Sequence, residues 1–170
     1  QGIWPAEGAV SPEAISLLAE HGVEWVATDE ALLWQSLPES EVGSSRVQLY
    51  APYTLENTDG QRTKLVFRDR ELSDLIGFSY ARSDANVAID DFIKRLETIG
   101  NENGDQDALV VVALDGENPW EYYEESGLKF LSGLYERLAG HPRIKSLPMA
   151  QAISEMGSPN PLNNLYSASW

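Results

Sequence analysis

The chain has 170 residues, 42% of them apolar and 23% charged, which is the composition of an ordinary globular domain rather than of a disordered or fibrous chain. Its 27 acidic and 12 basic residues give a net charge of −15, which argues against binding to a nucleic-acid backbone. The absence of cysteine excludes disulfides, zinc–thiolate sites and thiol nucleophiles. Because the sequence shows neither a long apolar run nor a signal peptide, we expect a soluble, cytoplasmic protein without a membrane partner, secretion not being excluded.

The first part of the chain alternates strand and helix patterns. Gly2 to Trp4 are predicted to end a strand, and Ser11 is a good N-cap for a helix that stops before Gly22. A buried strand is expected over Val23 to Ala27, followed by Asp29 as the cap of a short helix. Units of strand, loop and helix build parallel sheets.

A β-hairpin is predicted next. The β-rich stretches 47–53 and 63–67 flank the turn-rich residues 57–60. This hairpin interrupts the alternation, so we interpret it as an insertion in the α/β pattern.

The second half of the chain carries two further strand predictions. Asp84 or Ser83 caps the longest predicted helix, which ends at Gly100. The apolar run from Ala108 to Leu114 is typical of a parallel strand covered on both faces, and a last strand is expected over Ile144 to Leu147. Helices are also predicted over 128–139 and 148–156.

The number of predicted units bears on the fold. About four parallel-strand candidates alternate with helices, whereas a closed (β/α) barrel needs roughly eight such units. The chain is therefore either a small open α/β domain or a section of a barrel, and its abrupt ends favour the section. We divide it into a barrel section, 1–156, and an irregular C-terminal segment, 157–170.

Two carboxylates directly follow predicted parallel strands. Glu7 lies just after the first strand and Asp115 just after Leu114. The carboxyl ends of parallel strands share one rim, where α/β enzymes hold their reactive groups, so we expect both side chains to face that rim. Each also has a structural interpretation, as a helix cap or a partner of a helix dipole. The aromatic and acidic residues around both positions favour a functional role.

Two segments resemble signature motifs of glycoside hydrolase family 57. They are Gly-Ile-Trp-Pro-Ala-Glu-Gly-Ala-Val-Ser at 2–11 and Val-Ala-Leu-Asp-Gly-Glu-Asn-Pro-Trp-Glu at 112–121. Residues 67–78 are similar to a stretch of the amylopullulanase-like branch, and 146–155 more weakly resemble the family's last conserved region. The family acts on α-glucans and includes α-amylases, amylopullulanases, branching enzymes and 4-α-glucanotransferases.

The resemblance implies a fold and a position in the family's catalytic domain. The expected fold is α/β, a partial (β/α)7 barrel with parallel strands and a β-hairpin insertion. The family's first two motifs, the first of them a His-Gln-Pro, have no counterpart in this sequence. The chain therefore looks like a middle section of the catalytic domain.

The resemblance also implies residue roles. Glu7 matches the family's catalytic nucleophile and Asp115 its general acid/base. In a retaining mechanism we expect their carboxyl groups to be about 5–5.5 Å apart, whereas about 6.5–9.5 Å would indicate inversion. The candidate substrate-binding residues are Trp4, Arg68, Asp69, Glu117 and Trp120. Trp4 and Trp120 could instead pack under their own loops, and Arg68 and Asp69 could form a local salt bridge.

The predicted function is that of a retaining glycoside hydrolase or transglycosylase acting on α-glucans such as starch, glycogen or pullulan. No cofactor and no metal site is predicted, the partner is a glucan polysaccharide or oligosaccharide, and the sequence specifies no oligomeric state. One alternative is a non-catalytic structural or carbohydrate-binding fragment of such an enzyme. Another is a magnesium-dependent phosphoryl-transfer domain that uses Asp115, although no phosphate-binding loop accompanies it.

Overall fold

The computed structural model describes residues 1–40, 42, 46–117 and 119–169. The chain divides into two compact units. Unit 1 comprises Gln1–Asp69, Asp107–Val111 and Pro148–Trp170, and unit 2 comprises Arg70–Gln106 and Val112–Leu147. Asn118, part of the 112–121 motif, and Trp170, the end of the predicted irregular segment, lie outside the described residues.

Unit 1 is built on a mostly parallel sheet. Its described strands are β1 (Gly2–Ile3), β2 (Trp25–Asp29), β3 (Tyr53–Glu56), β4 (Arg62–Arg68) and β5 (Asn160–Pro161). Their spatial order is β1-β2-β4-β3-β5. The pairs β1–β2, β2–β4 and β3–β5 are parallel, and β3–β4 is antiparallel. This mixed α/β architecture confirms the fold class expected from the sequence.

The predicted hairpin is confirmed, and its second strand also belongs to the parallel part of the sheet. Its turn is closed by Asn57, whose side-chain oxygen accepts the backbone N–H groups of Asp59 and Gln61 at 3.1 and 2.8 Å. Gly60 adopts the left-handed conformation that this turn requires, with φ +77°. The first predicted arm, 47–53, is misplaced: it overlaps β3 only at Tyr53, because residues 47–50 form a 3₁₀ turn.

The described helices are α1 (Pro12–Glu20), α2 (Glu30–Ser36), α3 (Arg70–Asp74), α4 (Ala85–Glu102), α5 (Leu128–Ala139) and α6 (Met149–Glu155). Three of them, α1, α2 and α4, begin at caps predicted from the sequence. Ser11, Asp29 and Asp84 each accept a backbone N–H in the first turn. α4 continues past Gly100, and the chain turns at Gly104, where φ is +67°. Among the described residues, no helix is both long and apolar enough to cross a membrane.

The strand predicted over 108–114 is wrong. Val111 makes only an isolated parallel bridge with Arg68 in the described part of the chain. Leu109 and Val111 are buried while the residues next to them are partly exposed, so the run is covered on one face rather than on two. The reason is that β3 already pairs with β4 as far as Leu65, which leaves only the end of β4 open to this run.

The strand predicted over Ile144 to Leu147 is also wrong. These residues form an irregular segment that leads into α6, and both apolar side chains are half-exposed. Two half-buried residues supply too little apolar contact to hold an added strand on a sheet. The edge strand β5 comes instead from the predicted irregular segment, where Asn160 N–H donates to Pro52 O at 2.9 Å.

Unit 2 consists of helices and short turns. α4 packs against α5 with Gly133 facing Ile89. After α3, the chain forms a π-helical turn at Leu75–Ser79 and a 3₁₀ turn at Tyr80–Arg82. Phe130 is the centre of an aromatic cluster, with its ring centroid 5.9 Å from that of Tyr80 and 5.3 Å from that of Tyr123.

Candidate functional site

The carboxyl ends of β1, β2 and β4 form the candidate catalytic rim of unit 1. The three strands are parallel neighbours, so these ends lie at the same edge of the sheet. The turn that carries Glu7 follows β1, Asp29 ends β2, Arg68 ends β4, and Asp69 comes directly after it. The fold thus collects at one edge polar residues that are far apart in sequence.

Glu7 lies in a strained turn with an exposed side chain. It is the middle residue of the 3₁₀ turn Ala6–Gly8 and has φ +53° and ψ +25°, a left-handed conformation that is unfavourable for any residue with a Cβ. Gly8 N–H donates to Pro5 O at 2.9 Å. The hydroxyl of the fully buried Thr28 donates to Gly8 O at 2.6 Å and so ties the turn to β2.

Trp4 lies between β1 and the Glu7 turn. Its side chain is half-buried, and the two residues that follow it lead directly into the turn. Trp4 is three positions before the predicted nucleophile, Glu7, in the chain. Stacking of its ring on a sugar stays a prediction.

Arg68 is held by a buried ion pair. Its Nε donates to Asp29 Oδ2 at 2.8 Å, and the side chains are 10% and 0% exposed. The other oxygen of Asp29 accepts Ala31 N–H at 2.9 Å and caps α2. Such a pair fixes the geometry of both partners, because either charge left alone would be costly to bury.

Asp69 belongs to a second charged group. Tyr50 donates its hydroxyl to Asp69 Oδ2 at 2.9 Å, and an Arg46 nitrogen lies 3.3 Å from the same oxygen. Arg46 also binds both carboxylate oxygens of Glu30, at 2.6 and 3.3 Å. Burial, together with the negative charge of Asp69, raises the pKa of Tyr50, so its hydroxyl stays a hydrogen-bond donor.

The partners in this network were not found from the sequence. The sequence left open a local pair between Arg68 and Asp69, whereas the structure joins them to separate partners. Asp29 could have been selected by the rule that singled out Asp115, since it lies at the carboxyl end of a parallel strand. Arg46 and Tyr50 belong to no motif or period that would have indicated them.

Asp115 lies in unit 2, in an irregular and exposed segment. It does not directly follow a strand as expected, because the apolar run before it does not form one. The segment is attached to α3 by a hydrogen bond from Ala113 N–H to Ser73 Oγ at 3.2 Å. The carboxylate is therefore carried by a loop with a defined anchor two residues before it.

Trp120 closes the loop that follows Asp115. Its Nε1 donates to Gly116 O at 2.7 Å, and its ring centroid lies 5.2 Å from that of Tyr123. Gly127 packs against the same ring, and a Cβ there would lie 2.5 Å from Trp120 Cε3. Trp120 therefore has the structural role that the sequence left open, and it keeps a partly exposed face; Glu117, in the same loop, is exposed.

The predicted site residues fall into two sets. Those of unit 1 lie at or next to the candidate catalytic rim: Trp4, Glu7, Arg68 and Asp69. Those of unit 2 share one loop: Asp115, Glu117 and Trp120. Among the described residues, no group of three or more His, Asp or Glu side chains could hold a metal ion.

Comparison with known proteins identifies related folds. The model of the family described as Glycosyl hydrolase family 57 matches residues 1–161. The 4-alpha-glucanotransferase from Thermococcus litoralis is 23% identical, with a TM-score of 0.76 over 99% of this chain and 24% of that one. The alpha-amylase AmyC from Thermotoga maritima is 16% identical, with a TM-score of 0.76 over 99% of this chain and 43% of that one. No curated protein matches significantly. The chain thus shares its fold with less than half of each solved structure.

Proposed function

Because the chain belongs to glycosyl hydrolase family 57, we propose that it carries the catalytic residues of a retaining glycoside hydrolase or transglycosylase that acts on α-glucans. The family match agrees with the motif resemblance at 2–11 and 112–121. Starch, glycogen and pullulan are the substrates we propose. Cleavage of pullulan as well as starch would agree with the amylopullulanase-like character of residues 67–78.

The observation that carries this proposal is the backbone of Glu7. A non-glycine residue in the left-handed region costs free energy, and it persists only where the surroundings impose it. Here the Thr28 hydrogen bond and the turn hold it at the carboxyl end of a parallel strand. Glu125 is also an exposed acid with a positive φ, +51°, so the strain alone does not single out Glu7. The catalytic role is favoured because this strained, exposed carboxylate lies at the carboxyl end of a parallel strand, where α/β enzymes hold their reactive groups.

The proposed reaction uses two carboxyl groups in different protonation states. Ionised Glu7 attacks the anomeric carbon and forms a glycosyl ester, while protonated Asp115 gives its proton to the departing glycosidic oxygen. Asp115 then takes a proton from water or from the hydroxyl of an acceptor sugar, which attacks the same carbon and releases Glu7. Water as the acceptor gives hydrolysis, and a sugar gives transfer.

The charge of the chain agrees with a neutral substrate. A net charge of −15 disfavours anionic ligands, whereas a glucan carries no charge. We propose that Trp4 and Trp120 offer apolar faces to sugar rings. Arg68 and Asp69 are proposed to contact sugar hydroxyls, and Glu117 to orient the motif backbone.

Substitution of the two carboxylates tests the proposal. Glu7→Gln should lower the kcat for soluble starch by at least about 10³-fold, since the amide cannot act as the nucleophile. Asp115→Ala should lower the kcat for starch by about 10²- to 10⁴-fold, because the proton donor is removed. The same variant should show a much smaller decrease in kcat on an aryl glycoside whose leaving group departs without a proton. Reducing-sugar release and aryl-alcohol release measure the two rates.

The controls separate chemistry from folding. Glu20→Gln, at an exposed carboxylate near the end of α1, should keep the normal rate. With added azide, Asp115→Ala should form a glycosyl azide that retains the substrate's configuration. Near-normal turnover by Glu7→Gln, or an inverted product from the unmodified protein in proton NMR, would contradict the proposed mechanism.

A further inference from the structure

A pocket of ≈ 630 Å³ lies in unit 1, away from the Glu7 turn. Its size is within the range of about 300–1,000 Å³ that is usual for small-molecule sites. We call it the amide pocket, because its polar lining is dominated by the carboxamide side chains of Gln35, Gln48, Asn160, Asn163 and Asn164. The remaining lining residues are Ser36, Leu37, Pro38, Tyr53, Pro161 and Leu162.

The residues that line the pocket carry no charge, although the chain has a net charge of −15. Acidic and basic residues make up 23% of the sequence, yet none is among the described residues that line the pocket. Each carboxamide offers an acceptor oxygen and two donor hydrogens. Sugar hydroxyls need both kinds of partner, and the proline and leucine side chains offer apolar contact to the C–H faces of sugar rings.

The part of the wall that carries Asn163 and Asn164 is fixed at both ends. At one end, Leu162 is buried and its N–H donates to Thr54 O at 2.8 Å. At the other, Tyr166 N–H donates to Ser36 Oγ at 2.9 Å. Asn163 and Asn164 lie between these anchors with exposed side chains. Their backbone is therefore ordered before any ligand arrives, which lowers the entropy lost on binding.

The opposite walls are also part of ordered elements. Gln35 lies in the last turn of α2, and Ser36 donates its hydroxyl to Leu32 O at 2.6 Å. The hydroxyl of Tyr53 donates to Gln48 O at 2.8 Å and joins β3 to the preceding turn. The pocket is thus formed by three segments that tertiary contacts hold in place.

We propose that the amide pocket binds a neutral α-glucan oligosaccharide at a site separate from the Glu7 turn. The identity of the sugar rests on the proposed function, whereas the preference for an uncharged, hydroxyl-rich ligand rests on the pocket itself. Such a site would hold a part of the glucan that does not react. Its binding should be insensitive to salt, because a neutral ligand makes no ion pairs.

Backbone amide hydrogen exchange with maltoheptaose as the probe tests this site. The Asp115→Ala protein serves as the host, so that the probe is not cleaved. Maltoheptaose should protect segments 33–38 and 158–165. In that host, adding Gln35→Leu, Asn163→Ala and Asn164→Ala should weaken binding. The dissociation constant measured at these segments should rise by at least about tenfold, or about 1.4 kcal/mol. Gln35→Leu alone, at an exposed position, should also raise this dissociation constant.

The matched control is Gln106→Leu, which removes an exposed carboxamide in unit 2 and should leave the protection unchanged. Unaltered protection in the triple variant would overturn the site. Starch hydrolysis by the unmodified protein without protection of either segment would also overturn it and leave the proposed function standing. Protection that is lost in the triple variant, with no hydrolysis by the unmodified protein, would support the pocket and contradict the enzyme.

Discussion

At the residue scale, the effect of the strained backbone at Glu7 can be distinguished from the effect of its carboxylate. A glycine would adopt φ +53° without steric cost, and Gly8, the next residue, does adopt a positive φ of 58°. The chain nevertheless has glutamate at position 7, in a turn fixed by the hydrogen bond from Thr28. The strain and the carboxylate can therefore be tested independently.

Replacement of Glu7 by glycine or by alanine gives such a test. Both variants lack the carboxylate, and only alanine keeps a Cβ in the left-handed region. Glu7→Gly should therefore exceed Glu7→Ala in free energy of unfolding by about 1–2 kcal/mol. Urea denaturation measures the difference. Equal stabilities would mean that the turn relaxes and that the backbone at this position is not imposed by its surroundings.

Arg68 shows how far residue-level prediction extends. The sequence singled it out together with Asp69, and the capping role of Asp29 was also predicted and is confirmed. That Arg68 pairs with Asp29, 39 positions away, depends on the parallel pairing of β2 with β4. The pairing of two strands is a property of the sheet and is not encoded near either residue.

At the scale of elements, the apolar run 108–114 has strand composition without a strand's pairing. A strand needs a partner edge as well as apolar side chains. Most of the edge of β4 that could have received this run is occupied by β3. Local composition was thus a correct guide to burial at Leu109 and Val111 and a wrong guide to secondary structure.

Two helix glycines make a matched pair at this scale. Gly100 in α4 has open space around the position of a Cβ, whereas a Cβ on Gly133 in α5 would lie 2.7 Å from Ile89 Cδ1. Gly100→Ala should stabilise the protein by about 0.5–1 kcal/mol through helix propensity alone. Gly133→Ala gains the same propensity and must also displace Ile89, so it should be the less stable variant by about 1 kcal/mol or more.

Thermal or urea unfolding of the two variants decides this prediction. Circular dichroism before unfolding confirms that both helices are present. Equal stabilisation by the two substitutions would mean that α4 and α5 are not packed closely at Gly133.

At the scale of the whole molecule, buried tyrosines make the fold sensitive to alkali. Burial raises the pKa of Tyr123 to about 12, and its hydroxyl donates to Ile76 O at 2.6 Å. Burial likewise raises the pKa values of Tyr50 and Tyr80, with further increases from Asp69 and Asp91. The folded protein therefore keeps these protons at a pH where an unfolded chain, with tyrosine pKa values near 10, releases them.

The free energy of unfolding should consequently fall as the pH rises from about 10 to about 12. Below pH 10 the folded and the unfolded protein both keep the tyrosine protons, so the buried tyrosines contribute their full stabilisation to the fold. Tyr123→Phe should make the decline shallower, and Tyr122→Phe, which alters a side chain that is 77% exposed, should not. Urea denaturation at a series of pH values measures the slopes. If stability declined with pH as steeply in Tyr123→Phe as in the unmodified protein, Tyr123 would not be a source of the sensitivity to alkali.

Local features were predictable because their causes lie within a few residues. The caps at Ser11, Asp29 and Asp84 and the turn at 57–60 follow from short-range hydrogen bonds, and all were found from the sequence. The family motifs are equally local, since each is a continuous segment. Glu7 and Asp115 could therefore be selected as candidates from the sequence alone.

By itself, then, the sequence determined the class of the fold, the caps, the hairpin and the family. The tertiary structure alone decided that Arg68 joins Asp29, that Asp69 joins Tyr50, and that β3 rather than 108–114 pairs with most of the free edge of β4. These outcomes depend on which sheet edges remain open and which buried charges meet. Both are set by segments distant in the chain, so no local pattern records them.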